Sequence, residues 1–224
     1  EKAKNYRTVG LITNGRRMSY WDYCLKLLDS GVNHITVSLH STDEKIHESL
    51  TRTRGSYKQT INAIMNLEFL KRKRRFKLNI SIVANRWNLP NLEKDLLELS
   101  ALNTDTIVLN PLVPLGGGRR FMDELLVPYT ELVNEIKSIV DRNRLPKLSV
   151  NGIPPCVSSP IKIYSGTNEK AFVKYNGKFH EPNDMHKNKG EDCRKCRYSD
   201  ICPGVHRNYL KKFGWGEFIA YEKE

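Results

Sequence analysis

The chain has no apolar run near the roughly 18 residues that a membrane-spanning helix requires. No basic, apolar and small-residue succession of a secretory leader opens it either. These absences argue against a membrane partner and make the cytoplasm the expected setting, where thiols stay reduced. Internal repeats and low-complexity tracts are also missing, which excludes solenoids and biased tails. Cysteine is scarce, five in 224 residues, so no disulfide framework is expected to staple the fold. Acidic side chains are in the minority, 25 against 37 Lys and Arg, leaving a formal charge of +12. That balance suits nucleic acid, anionic substrates or acidic partner proteins, and a solvated basic surface accounts for it equally well. The chain opens on Glu1 instead of Met, and a longer parent polypeptide is the expectation.

What is present reads as a globular chain, with 39% hydrophobic and 28% charged residues. From Thr8 to about Val150, short β-branched runs alternate with amphipathic helices. Val9–Thr13 is a short strand closed by the turn pair Asn14-Gly15. Ser19 is expected to cap a helix with Trp21, Cys24, Leu25 and Leu28 on one face, which makes Cys24 a core residue. His34–Leu39 is the second strand, and Tyr57, Ile61, Ile64 and Leu67 form the apolar stripe of the next helix. Lys77–Val83 is a third strand, Leu89, Leu92, Leu96 and Leu99 mark a third helix, and Thr106–Leu109 is a fourth strand. Pro128 opens a helix with Tyr129, Leu132, Val133, Ile136, Ile139 and Val140 inward, and Lys147–Val150 is a fifth, short strand. Such alternation gives parallel βαβ units with right-handed crossovers, in an open or barrel-like α/β sheet. Six basic residues between Lys71 and Lys77 join the second helix to the third strand as a connecting loop. Beyond Gly152 the texture changes to loop and a hairpin, Ala171–Tyr175 with Lys178–His180, turning at Asn176-Gly177. Two domains are therefore expected, 1–150 and 151–224.

Chemistry is concentrated in the second of these. Cys193, Cys196 and Cys202 fall within ten residues, with Cys156 upstream. A pair of cysteines two residues apart can turn both sulfurs toward one centre, and thiolates suit zinc and iron–sulfur clusters alike. The second half of the set is not another two-spaced pair, unlike a zinc ribbon, and Pro203-Gly204 stands directly after a ligand. His180, His186 and His206 are alternatives to Cys156 for the fourth position. In the first domain, ligands bind at the carboxyl ends of the strands, where Thr13-Asn14-Gly15, Ser38, His40, Asn85 and Asn110 lie. Each alone reads as a turn former or strand cap. On successive strand ends they make a candidate cradle for a polar cofactor.

Leu11–Gly15 and Thr36–Ser41 resemble the third and fourth strands of radical S-adenosylmethionine (SAM) enzymes, and Asp43–His47 with Arg54–Tyr57 continue that pattern. Cys193 to Phe218, with Cys-Pro-Gly, Tyr209, Gly214 and Glu217-Phe218, resembles the auxiliary-cluster tail of the SPASM and twitch subgroups. The resemblance implies a partial (β/α) barrel lacking its first units, plus a small cysteine-rich cluster-binding domain with a β-hairpin. It implies an enzyme that cleaves SAM reductively at a [4Fe-4S] cluster to give a 5′-deoxyadenosyl radical, in peptide or cofactor maturation. Thr13, Asn14, Ser38, His40 and Asn110 would hold SAM, and Cys156, Cys193, Cys196 and Cys202 an auxiliary [4Fe-4S] cluster. Implied partners are a peptide or small-molecule substrate and an electron donor such as a flavodoxin or ferredoxin. The CxxxCxxC loop and Gly-Gly-Glu segment of such enzymes are missing from this sequence, so the chain alone is expected to be inactive.

Two other readings compete. One is a zinc-stabilised module gripping nucleic acid through Lys71–Lys77, against which no aromatics interleave with that run. The other is a non-catalytic relative serving as a scaffold.

Overall fold

The computed structural model describes residues 7–158, 173–175, 178–180 and 186–222. The chain divides into two compact units, Glu1–Asn110 with Asn143–Ser149, and Pro111–Arg142 with Val150–Glu224. A boundary thus falls close to residue 150, while residues 111–142 group with the tail.

The first unit is built on β1 (Gly10–Thr13), α1 (Trp21–Asp29), β2 (His34–Ser38), α2 (Glu44–Thr51), α3 (Ser56–Lys71), β3 (Lys77–Ala84), α4 (Leu92–Ser100) and β4 (Thr106–Pro111). With β5 (Leu148–Val150) the strands form a five-stranded sheet in simple order β1-β2-β3-β4-β5. β2 pairs in parallel with both β1 and β3. Helical crossovers between consecutive strands enforce that direction, as the βα alternation requires.

Period-two patterning divides the sheet into two unlike faces. Ile35 and Val37 of β2, Leu78, Ile80 and Ile82 of β3, and Ile107 and Leu109 of β4 are all 0% exposed. Helices cover this face: at Gly15 an added Cβ would stand 2.9 Å from Val37 and 3.4 Å from Ala63 of α3. Gly15, at φ 75°, therefore supplies both a left-handed turn and the clearance that lets α3 close on β2. The opposite face is less buried and mixed, with polar side chains beside Ile12, Val83 and Val108. Register pairs Thr36 with Asn79 and Ser38 with Ser81 across it.

The helices follow the apolar periodicity with two departures. Ser19 is not the cap of α1; it ends a 3-10 turn (Arg16–Ser19), and its hydroxyl donates back to the Arg16 carbonyl at 2.7 Å. Tyr20 stands at the cap position without a side-chain bond. In α3 the buried stripe is Thr60, Ala63, Ile64, Leu67 and Leu70, with Tyr57 and Ile61 only half-buried. Small Ala63, not Ile61, faces the sheet where the approach is closest. Cys24 is core as expected: fully buried, its thiol donates to the Met18 carbonyl at 3.0 Å, and burial pushes its pKa to about 11.

In the second unit, two short helices, α5 (Gly117–Arg120) and α6 (Met122–Leu125), lead to α7 (Tyr129–Arg142), which buries Tyr129, Leu132, Val133, Ile136 and Ile139. Beyond residue 150 come α8 (Pro155–Ser158), the antiparallel pair β6 (Val173–Tyr175) and β7 (Lys178–His180), a second antiparallel pair of β8 (Lys187–Asn188) with β9 (Val205–His206), and α9 (Arg207–Phe213). The two strands of the expected hairpin are thus in place; Ala171, Phe172, Asn176 and Gly177 lie outside the described residues.

One polar relay ties α9 to α7. Tyr209 is 0% exposed, and its ring stacks on that of Tyr129 with centroids 4.1 Å apart. Its hydroxyl oxygen accepts the Tyr129 backbone N–H at 2.7 Å and donates its proton to the Glu217 carboxylate. The other Glu217 oxygen accepts the Thr130 N–H at 2.8 Å. Two otherwise unpaired amides at the start of α7 are satisfied in this way, and a carboxylate sits at the positive end of the helix.

Candidate functional site: a polar sheet face and a four-thiol pocket

The five residues expected to hold a cofactor do not share one environment. Ser38 lies on the half-buried polar face at the end of β2, level with Ser81. Asn110 belongs to the same patch, its amide donating to Ser81 Oγ at 3.4 Å. Thr13 pairs in register with Val37, and so belongs to the row covered by helices; its hydroxyl accepts the Gly15 N–H at 3.1 Å. The β1 side chain level with Thr36 on the polar face is Ile12, 77% exposed. Asn14 is exposed and shapes the turn, its amide oxygen accepting the Arg16 N–H at 3.2 Å.

His40 stands in a loop held from several sides. Its N–H donates to His47 Nδ1 at 3.2 Å, and its carbonyl accepts from the Asn88 amide at 2.8 Å. Burial lowers the pKa of His40. His47, 1% exposed, is pushed down to about 4, by burial first and by neighbouring His40 second, so both rings are neutral at pH 7.

The group that sequence reading missed here is Asp95. It is fully buried on the apolar side of α4, one turn from Leu92 and Leu99. Its Oδ1 accepts from Ser41 Oγ (3.0 Å), Thr42 N (2.8 Å), Thr42 Oγ1 (2.8 Å) and Asn91 Nδ2 (2.7 Å). Asp95 Oδ2 is buried without a hydrogen-bond partner among the described residues, and burial raises the carboxyl pKa despite those four donors. Tyr57 adds a further tie, donating to the Thr42 carbonyl at 2.8 Å. A carboxylate on an otherwise apolar helix face was the available signal.

In the tail, all four expected cysteines come together. Cys156, Cys193, Cys196 and Cys202 line one open pocket, with Lys189, Asp192, Tyr198, Ser199 and Phe218 among its other walls. Turns bend the chain between these cysteines: the Cys196 N–H folds back on the Cys193 carbonyl at 3.2 Å, and the Cys202 N–H reaches the Tyr198 carbonyl at 2.8 Å. Gly204, at φ 88°, turns its N–H onto Cys202 Sγ at 3.4 Å. Any Cβ there would stand 2.4 Å from the Asn188 carbonyl oxygen, so the residue after Pro203 must be glycine.

Electrostatics show that the sulfurs sense one another. Burial, then the proximity of Cys202, Cys196 and Cys193, pushes Cys156 up to about 11. Burial also raises Cys202, with the Gly204 N–H opposing. As free thiols Cys156 and Cys202 hold their protons at pH 7, and a bound metal centre would displace them. Four thiols on one pocket, with an N–H donated to sulfur, fit the donor set of a [4Fe-4S] cluster. As the side chains stand, no three His, Cys, Asp or Glu among the described residues close on a single ion. Neither His186 nor His206 lines this pocket; their rings stack on each other at 5.9 Å. The side chain of His180 lies outside the described residues.

Comparison with known proteins adds two findings. Residues 1–88 match the family model described as Radical SAM superfamily. Over 108 residues the chain is 30% identical to a probable GTP 3′,8-cyclase of Methanopyrus kandleri, covering 48% of this chain and 34% of that protein. The chain thus spans about a third of the length of the curated relative it matches. No helix among the described residues is long and apolar enough to cross a membrane.

Proposed function

We propose that this chain is part of a radical SAM enzyme whose tail holds an auxiliary [4Fe-4S] cluster on Cys156, Cys193, Cys196 and Cys202. The observation that carries this reading is the convergence of four thiols, from two separate stretches of chain, on one pocket. The Radical SAM match over residues 1–88 supports the other half. The partial barrel would supply a polar inner face, with Ser38, Asn79, Ser81 and Asn110 as hydrogen-bonding groups for SAM, and His40 at the same strand end. SAM bound at a [4Fe-4S] cluster supplies a 5′-deoxyadenosyl radical for hydrogen abstraction. In the tail, this chain's residues release four thiol protons, orient their sulfurs by turns and hold one sulfur with the Gly204 N–H. Reactions on a peptide or in cofactor maturation are the substrate classes in view.

Metal and sulfide content of the anaerobically purified chain, compared with Cys196→Ala, tests the reading. About four irons and four sulfides per chain, lost in the variant, is the expected result. One zinc and no labile sulfide would sink it, and would favour a zinc-stabilised module.

A further inference from the structure

α3 is apolar on two sides. Ala63, Ile64, Leu67 and Leu70 belong to its buried stripe. Met65 and Phe69, four positions apart and so one above the other on another side, are 60% and 47% exposed. Trp21, the first residue of α1 and 39% exposed, meets the Phe69 ring edge-on with centroids 5.6 Å apart. A helix that covers a sheet with one face is expected to be polar on the other, and grouped large apolar side chains there mark a contact surface. The group is pre-organised. Asn66, next to Met65, donates its amide to the Met18 and Ser19 carbonyls at 3.0 and 3.1 Å, which fixes the start of α1 on α3.

One border of this patch is cationic. α3 runs directly into the basic stretch, where Lys71 is paired with Asp105 and Arg74 with Asp29. Lys73 instead lies over the Phe69 ring, 5.1 Å from its centroid. Arg72, still helical in backbone, follows Phe69 by three positions and extends the same side. Arg72 and Arg75 are exposed and make no side-chain ion pair among the described residues. The chemistry sorts the possible occupants. Single-stranded nucleic acid needs open ring faces to stack on. Here Lys73 covers a face of Phe69, Trp21 and Phe69 meet edge to face, and Met65 offers no ring. A second copy of the chain brings like charge, since its formal charge is +12. Apolar side chains one helical turn apart, with adaptable methionine among them, suit the apolar stripe of an amphipathic helix. Unpaired arginines at its end select carboxylates.

We propose that this surface of α1 and α3 docks an acidic amphipathic helix of a partner protein. The apolar stripe of that helix lies on Trp21, Met65 and Phe69, and its carboxylates meet Arg72 and Arg75. Apolar contact supplies the affinity, and the cations choose the partner and speed its arrival.

The test sorts a yeast-displayed library of random peptides, each about 18 residues or five helical turns long, on the labelled full chain at low salt. Clones that bind should be rich in Glu and Asp, with apolar residues spaced three and four apart. Met65→Ser with Phe69→Ser should weaken their binding about 10-fold or more. Arg72→Glu with Arg75→Glu should weaken it about as much at low salt, and by less as salt screens the charges. All four side chains are exposed, so the unfolding midpoints should match the parent. Should the serine pair lower its midpoint, the charge-reversal pair, which removes no apolar contact, decides the matter. Selected clones that are not acidic, or that bind both variants as tightly as the parent, overturn the proposal. So does an oligouridine of about 20 nucleotides that displaces the selected peptides and binds more tightly than they do, which would make the patch a nucleic-acid surface.

Discussion

Replacing Tyr209 with phenylalanine removes one oxygen from the relay between α9 and α7 and leaves the ring in place. That oxygen accepts a buried amide, Tyr129 N–H, at 2.7 Å and donates to Glu217. Losing the amide bond costs about 1 kcal/mol, and stranding a buried N–H at a helix start adds about 1–2 kcal/mol. Glu217 is half-buried and can turn to water, so its share is small. The 4.1 Å ring stacking survives the substitution. A loss of about 2–3 kcal/mol in the stability of the second unit is therefore expected. Urea unfolding can be read from Trp215, whose ring meets Phe218 at 5.8 Å, once Trp21 and Trp87 are replaced by phenylalanine. The same difference should raise exchange at the Tyr129 amide about 30- to 150-fold. Glu217→Gln, which keeps an acceptor for Thr130, should cost under about 1 kcal/mol. A Tyr209→Phe protein within about 0.5 kcal/mol of the parent, with the Tyr129 amide still protected, would refute the argument.

The geometry sets other outcomes. Gly204→Ala should lose most of its iron on anaerobic purification, because its Cβ would drive into the Asn188 carbonyl oxygen while the backbone holds a left-handed φ. His47 titrates near 4 in the fold and near 6.5 when unfolded, so below pH 6.5 the unfolded chain binds more protons. Stability should then be full above pH 6.5 and fall toward pH 4, by up to ~3 kcal/mol from this group; a His47 NMR titration midpoint near 6.5 contradicts it. Asp95→Asn keeps an acceptor for its four donors and removes a carboxyl whose raised pKa makes its ionised form unfavourable in the fold. It should be tolerated within about 1 kcal/mol in a urea melt, while Asp95→Ala, which strands those donors, should cost about 3 kcal/mol.

The sheet was legible because β3 alternates apolar with polar from Lys77 to Ile82, and a helix with three or four spaced leucines or isoleucines lies between each two consecutive strands of the sheet. The thiol set was legible because three of its members lie within one short stretch. Other features depend on distance along the chain. Nothing local announces that Tyr209 and Glu217 complete the start of a helix about 80 residues earlier, or that Asp95 holds the loop after β2. The helix-side position of Thr13, with Ile12 on the polar face, is a matter of strand register, which composition does not encode. The Ser19 cap failed because a 3-10 turn already used its hydroxyl. The basic run is not free of aromatics: Phe76, buried, stands within it in sequence, and Lys73 lies over the ring of nearby Phe69, which Trp21 meets edge-on.

The relay also sets a clock for synthesis. The first amides of α7 wait for Tyr209 and Glu217, which emerge 80 and 87 residues later. At ribosomal speeds that interval is about 4–17 s, long compared with the microseconds in which a helix forms. During it, α7 must exist with these two amides of its first turn unpaired. The half-made second unit is therefore the stage at which a chaperone has the most to act on.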